Sequence, residues 1–164
     1  YRRGGVGRVD DYGGLRGIKQ RRSAMGAKVL VVDDEREFSV LLSERLRRRD
    51  YETQFCFGGK EALEILAHQP CDVIVLDLVM PEMDGITTLK EIKLRYPLTE
   101  VILLSGRATL ETAIQGMWMG AFEYLTKPCE IEHMTSKINE AYLRKFAQEE
   151  RIRKAKRGLE LSGG

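Results

Sequence analysis

Four residue types are scarce in this 164-residue chain, which holds three cysteines, four prolines, two histidines and one tryptophan. Cys56, Cys71 and Cys129 are odd in number and form no Cys-x-x-Cys pair. That argues against both a disulfide framework and a zinc site, and predicts reduced, partly buried thiols. His68 and His133 lack a partner at ligand spacing, so surface roles are expected, the first near a helix end. No apolar run approaches the ~20 residues of a membrane span, and the Arg/Gly-rich start lacks a signal-peptide hydrophobic stretch. A cytoplasmic protein with no membrane partner is expected. With 43% hydrophobic and 32% charged residues, the chain can bury one good core but is short for two.

The net charge of +2 is unevenly spread. Residues 1–24 carry seven Lys/Arg against two Asp, and residues 144–164 carry seven against three acids. The stretch 25–143 therefore holds 13 basic and 20 acidic groups. Neither basic end has the aromatic interleaving of a single-strand binder, a helix-turn-helix or a basic zipper, so solvated tails are expected and nucleic acid is not. Residues 1–24, with six glycines and few large apolar side chains, cannot repay the entropy of ordering and are expected to be disordered. Met25-Gly26 reads as a natural start, with what precedes it an added or mis-assigned extension. The expected organisation is that extension, one domain over 25–147, and a charged helical extension and tail over 148–164.

What is present is a repeated alternation of short apolar runs with helical periodicity. Residues 28–32, 51–57, 73–76, 100–104 and 122–126 read as strands. Helices are predicted after each, the first with Phe38, Leu41, Leu42 and Leu46 at helical spacing. Asp34 with Glu37 resembles a capping box for it, and Asp84 is expected to cap the helix that runs from Asp84 or Ile86 to about Tyr96. The order is β-α five times over, which implies a parallel sheet with right-handed crossovers and helices on both faces.

Four of the five runs end in chemistry. Asp33 and Asp34 follow the first, Asp77 the third, Ser105 the fourth and Lys127 the fifth. A carboxylate fully inside an apolar strand would be strongly desolvated, so each is placed at a strand's carboxyl end, where α/β sheets open their ligand crevice. Each has a bland alternative as a cap or turn residue. Capping does not explain Asp33 beside Asp34, whose mutual repulsion favours a shared cation, and an acidic pair at a strand end suits magnesium.

Taken together and in order, Val-Val-Asp-Asp-Glu (31–35), Asp-Leu-Val-Met-Pro-Glu-Met-Asp-Gly (77–85), Leu-Ser-Gly (104–106) and Gly-Ala-Phe-Glu-Tyr-Leu-Thr-Lys-Pro (120–128) resemble the receiver domain of bacterial two-component response regulators. The resemblance implies a flavodoxin-like, five-stranded doubly wound parallel sheet of order 2-1-3-4-5. It implies that Asp77 is the phosphoacceptor, served by a sensor histidine kinase or phosphotransfer protein or a small phosphodonor. It implies that Mg²⁺ is held by Asp34, Asp77 and the backbone carbonyl of Val79, with Asp33 acting through water. Lys127 and Ser105 would contact the phosphoryl oxygens, Tyr124 would be the switch aromatic, and the 127–128 peptide would be cis. Two positions depart from the pattern. Cys129 follows Lys-Pro where Phe is frequent, and Gly106 follows Ser105 where Ala is common, which is expected to loosen that loop.

Other classes fit less well. A haloacid-dehalogenase-type phosphatase wants a second Asp two residues after the nucleophile, where Val79 stands. A flavodoxin needs a hydroxyl- and amide-rich phosphate loop after the first strand, where this chain has three acids. About 20 residues follow Tyr142, too few for an effector domain, so output is expected through the domain surface. A stand-alone regulator and a truncated fragment of a larger one both remain open, and the enzyme class is set aside beyond self-phosphorylation and self-dephosphorylation.

That output surface is placed on the helix over 109–119, the strand over 122–126 with Tyr124, and the final helix. Leu110, Ala113 and Met117 are expected to form the inward face of the first of these. Trp118, rotated about 100° from Met117, is then expected to face a downstream partner or a second copy of the chain. The alternative is a core Trp paired with Ile114. Residues 144–157 are expected to continue the final helix with their basic side chains mostly in solvent.

Overall fold

The computed structural model describes residues 26–163, so the extension over 1–24 lies outside the described residues. Among the described residues, five strands form one sheet: Lys28–Val32 (β1), Glu52–Cys56 (β2), Val73–Leu76 (β3), Glu100–Ser105 (β4) and Glu123–Thr126 (β5). All pairings are parallel and the order is β2-β1-β3-β4-β5. Each strand is followed by a helix: Arg36–Arg47 (α1), Gly59–His68 (α2), Gly85–Arg95 (α3), Leu110–Trp118 (α4) and Ile131–Ser162 (α5). None is long and apolar enough to cross a membrane.

The period-2 geometry of the strands divides the core in two. Val29, Val31, Val73, Val75, Ile102 and Leu104 face one side, where Leu42 and Leu46 of α1 and Met134, Ile138 and Ala141 of α5 cover them. Leu30, Val32, Ile74, Leu76, Val101 and Leu103 face the other, under Ala62 and Leu66 of α2 and Leu89 and Ile92 of α3. With both faces covered, β3 is four residues long and buried at every position, as its unbroken apolar run requires. Cys56 and Cys71 are buried free thiols, and burial pushes them up to about 12 and about 11; Cys129 is half-buried against the α1/α5 side.

Some expectations need correcting. The capping box of Asp34 and Glu37 does not form, because α1 begins one residue later with Glu35 at its N-cap and no side-chain cap bond. The turn is held instead by Asp33, whose Oδ1 accepts the Glu35 amide hydrogen at 2.9 Å. Asp84 does cap α3, accepting from the Thr87 amide at 2.7 Å. The face of α4 is also different. Ala113 and Gly116 are buried, whereas Leu110 is 78% and Met117 39% exposed. The cause is Leu103: a Cβ on Gly116 would come within 2.4 Å of its Cδ1, so the helix lies close to the sheet along its small residues and turns its large ones outward. Trp118 is 85% exposed, as expected.

The final helix runs unbroken to Ser162, across the expected boundary at 148. From Arg151 onward its basic residues face solvent, whereas Arg144, half-exposed, and Lys145, largely covered, also pair with acids at the base of the sheet. Glu100 is buried at the start of β4, and a buried carboxylate needs a counter-ion. Arg144 meets it in a bidentate pair, Nε to Oε1 at 2.9 Å and Nη2 to Oε2 at 2.8 Å. Next to it, Lys145 bridges Asp72 at 2.9 Å and Glu149 at 2.7 Å.

Candidate functional site

Parallel register brings the strand ends together. Val32 pairs with Leu76, so Asp33 and Asp77 leave neighbouring strands at the same level, and the Asp77 amide donates to the Val32 carbonyl at 2.9 Å. On the other side Ser105 pairs with Thr126, and the Lys127 amide donates to the Ser105 carbonyl at 3.2 Å. Asp33 and Asp77 are each 2% exposed and Ser105 is buried. The peptide between Lys127 and Pro128 is cis.

Lys127 organises the acids. Its Nζ lies 2.5 Å from Asp33 Oδ2, 3.1 Å from Glu35 Oε1 and 3.8 Å from Asp77 Oδ2, over the Phe38 ring at 4.1 Å. Burial works to lower its pKa, but the bonds to Asp33 and Glu35 outweigh it and hold the ammonium firmly charged. Burial is also the largest influence on Asp33, whose pKa rises to about 6 even though Lys127 and the Glu35 amide pull the other way.

Asp77 is differently placed. Its Oδ1 accepts the Val79 amide hydrogen at 3.2 Å. Its Oδ2 is buried without a hydrogen-bond partner, a condition it shares only with Ser43 Oγ among the described residues. Two cations flank that oxygen at a distance, Lys127 at 3.8 Å and Arg107 at 3.9 Å. Arg107 reaches in from the β4–α4 loop and also donates to the Val79 carbonyl at 3.1 Å and to Asp34 at 3.5 Å. Its own amide approaches Ser105 Oγ at 3.4 Å.

Asp33, Asp77, Ser105 and Lys127 thus gather at one sheet edge, with two additions, while Tyr124 and Trp118 lie away from it beside α4. Glu35 and Arg107 had no assigned role. Glu35 was visible as a third consecutive acid, but Arg107 has no signal in the chain, since its contact with Asp34 and Val79 depends on how the loop folds back. Asp33, Glu35 and Asp77 have oxygens within 4.8 Å of one another, whereas Asp34 stands outside that group and joins it through Arg107. Hard oxygen donors around an unpartnered carboxylate oxygen are a donor set that fits a small divalent cation such as magnesium. Tyr124 is half-buried beside α4, in an apolar hollow lined by Leu110, Ala113, Ile114, Met117 and Trp118. Gly106 has room for the commoner alanine: a Cβ there would lie 3.4 Å from Lys127 Cβ.

Close to the Asp77 carbonyl the chain bends sharply into α3. A Cβ on Gly85 would stand 2.3 Å from the Asp77 backbone oxygen, so only glycine lets the helix start against the strand end.

Comparison with known proteins agrees with this geometry. The response regulator receiver domain model matches residues 29–139. A putative NtrX-like response regulator of Rickettsia bellii is 39% identical over 102 residues, 61% of this chain and 21% of that protein. Regulatory protein AtoC of Escherichia coli is 36% identical over 114 residues, 70% of this chain and 25% of that protein. The chain therefore spans about a quarter or less of these curated relatives. Among solved structures, a response regulator receiver domain protein from Clostridium thermocellum superposes with a TM-score of 0.71 at 35% identity, covering 74% of this chain and 98% of that one. NtrX from Brucella abortus gives 0.73 at 28% identity, covering 77% of this chain and 29% of that one. With the family match spanning most of the folded residues and the sheet order in agreement, the chain belongs to the receiver domains of two-component response regulators.

Proposed function

We propose that this receiver domain is a phosphorylation-dependent switch in which Asp77 accepts a phosphoryl group from a sensor histidine kinase or phosphotransfer protein. The observation that carries this is the buried, unpartnered Oδ2 of Asp77 between two cations. A carboxylate oxygen without a hydrogen bond keeps its lone pairs for attack. The new O–P bond forms as the donor's N–P bond breaks, and the electron pair leaves with the donor nitrogen. Lys127, already charged and 3.8 Å from Oδ2, then binds a phosphoryl oxygen, and the buried Ser105 hydroxyl donates to another.

Asp34, Asp77 and the Val79 carbonyl would hold Mg²⁺, with Asp33 contributing through water. Bound there, the ion screens the repulsion between carboxylates and an incoming phosphoryl group. The residues themselves bind and orient: the Val79 amide fixes Oδ1 of Asp77, leaving Oδ2 as the reacting atom. Catalysis is confined to the protein's own phosphorylation and dephosphorylation.

Output runs through α4, β5 and α5. Tyr124 borders both the Ser105 strand and the hollow beneath Trp118, so its position couples the site to a surface that contacts a downstream protein or a second copy of the chain. The short coverage of the curated relatives favours a second setting, in which residues 25–147 are the receiver part of a larger regulator and 148–164 lead onward from it.

Intact mass after incubation with a small phosphodonor tests the assignment. One phosphoryl group is expected with Mg²⁺, none in EDTA, and none on Asp77→Ala; equal labelling of that variant would overturn it.

A further inference from the structure

The two cations beside Asp77 are held very differently. The Lys127 side chain is 12% exposed and is fixed by Asp33, Glu35 and the Phe38 ring. The Arg107 side chain is 54% exposed, hangs from a loop, and among the described residues directs its hydrogen bonds and ion pairs to Asp34, Asp77 and the Val79 carbonyl. These are the three groups assigned above to the metal. A guanidinium has no lone pair and does not lose its proton in a protein, so it donates to these oxygens and never joins them as a ligand. A guanidinium hydrogen bond at 3.1 Å to the Val79 carbonyl and an ion coordinated to that carbonyl and both carboxylates exclude one another by charge and space.

We propose that Arg107 is a built-in competitor for the divalent cation: it closes the corner formed by Asp34, Asp77 and Val79 in the metal-free protein and swings into solvent when Mg²⁺ binds. This rests on the metal assignment given under the proposed function. Half-exposure makes the exchange cheap, since the guanidinium leaves a partly screened ion pair for water, whereas Lys127 stays in place for the phosphoryl group. Arg107 thereby sets the Mg²⁺ concentration at which the site becomes competent and neutralises the acids below it.

Calorimetric titration of metal-free protein with MgCl₂ at fixed ionic strength tests this on the whole chain. Arg107→Ala is expected to bind Mg²⁺ about three- to tenfold more tightly than wild type, on the scale of one exposed ion pair with a hydrogen bond. Arg107→Lys should fall between them, because an ammonium keeps the charge but not the planar fork. In wild type the side-chain Nε–H resonance of Arg107 should shift on Mg²⁺ addition. Unchanged or weaker Mg²⁺ affinity in Arg107→Ala would overturn the proposal, as would an Arg107 resonance indifferent to Mg²⁺. Asp34→Asn and Asp77→Asn separate the two levels. If both retain wild-type Mg²⁺ affinity, the metal assignment itself fails; if both lose it while Arg107→Ala does not gain, the competitor role alone fails.

Discussion

Asp33 sits inside the sheet edge with one oxygen on the Glu35 amide and the other on Lys127. Burial, the dominant influence, raises its pKa from 3.8 to about 6. A carboxyl that holds its proton more tightly folded than unfolded contributes stability below about pH 4 and loses it as pH rises through about 6. In metal-free buffer, Asp33→Asn should therefore gain stability relative to wild type between about pH 4 and pH 7, read as a widening gap in urea midpoints. A gap that stays flat or narrows would show that Lys127 overcomes the burial. Asp33, Asp77, Ser105 and Lys127 could be found in the sequence because each terminates an apolar run, and the parallel register leaves such termini no other place to go. Arg107 could not, because an arginine two residues past a strand is ordinary until the loop returns it to Val79 and Asp34.

At the scale of elements, the central strands were readable because both-face burial demands unbroken apolar runs, while their order was legible only through the family resemblance. The inward face of α4 was legible only at Ala113, while Leu110 and Met117 turn outward. Periodicity counts large apolar residues as interior, yet here the interior positions are Ala113 and Gly116, chosen for closeness to Leu103. The start of α1 failed similarly: Asp34 and Glu37 had capping-box spacing, but Asp33 took over the turn. Close approach makes α3 a sharp test. Gly85→Ala sets a methyl 2.3 Å from one backbone atom of Asp77 and 2.4 Å from one of Leu78, where no flexible side chain can yield. It should cost about 2 kcal/mol or more in urea unfolding. Gly58→Ala is the control, with an extended φ of −162° and nothing within 4 Å of the added Cβ; it should cost less than about 1 kcal/mol.

At the scale of the whole molecule, the exposed apolar surface of α4 and the pinned base of α5 lie outside the reactive edge. Trp118 reports on the first. Its emission should be red-shifted and open to quencher in the free protein, and should change when phosphodonor and Mg²⁺ are added. Emission that ignores phosphodonor would remove Trp118 from the output surface. The second can be read by unfolding: Arg144→Ala strands the buried Glu100 and should cost roughly 2 kcal/mol, less than a fully buried pair because Arg144 is half-exposed, while Arg151→Ala should cost almost nothing.

Beyond Glu149 the last 13 residues of α5 touch little but themselves, and at 1.5 Å per residue they form a rod of roughly 20 Å. The Glu100–Arg144 and Asp72–Lys145 pairs stand at the rod's base like a fulcrum. A helix that long converts angle into distance, and a tilt of about 10° at the base would sweep its far end through about 3 Å. Ångström-scale repacking beside β4 and β5 would thus arrive at Ser162 as a displacement large enough to make or break a contact with whatever lies alongside.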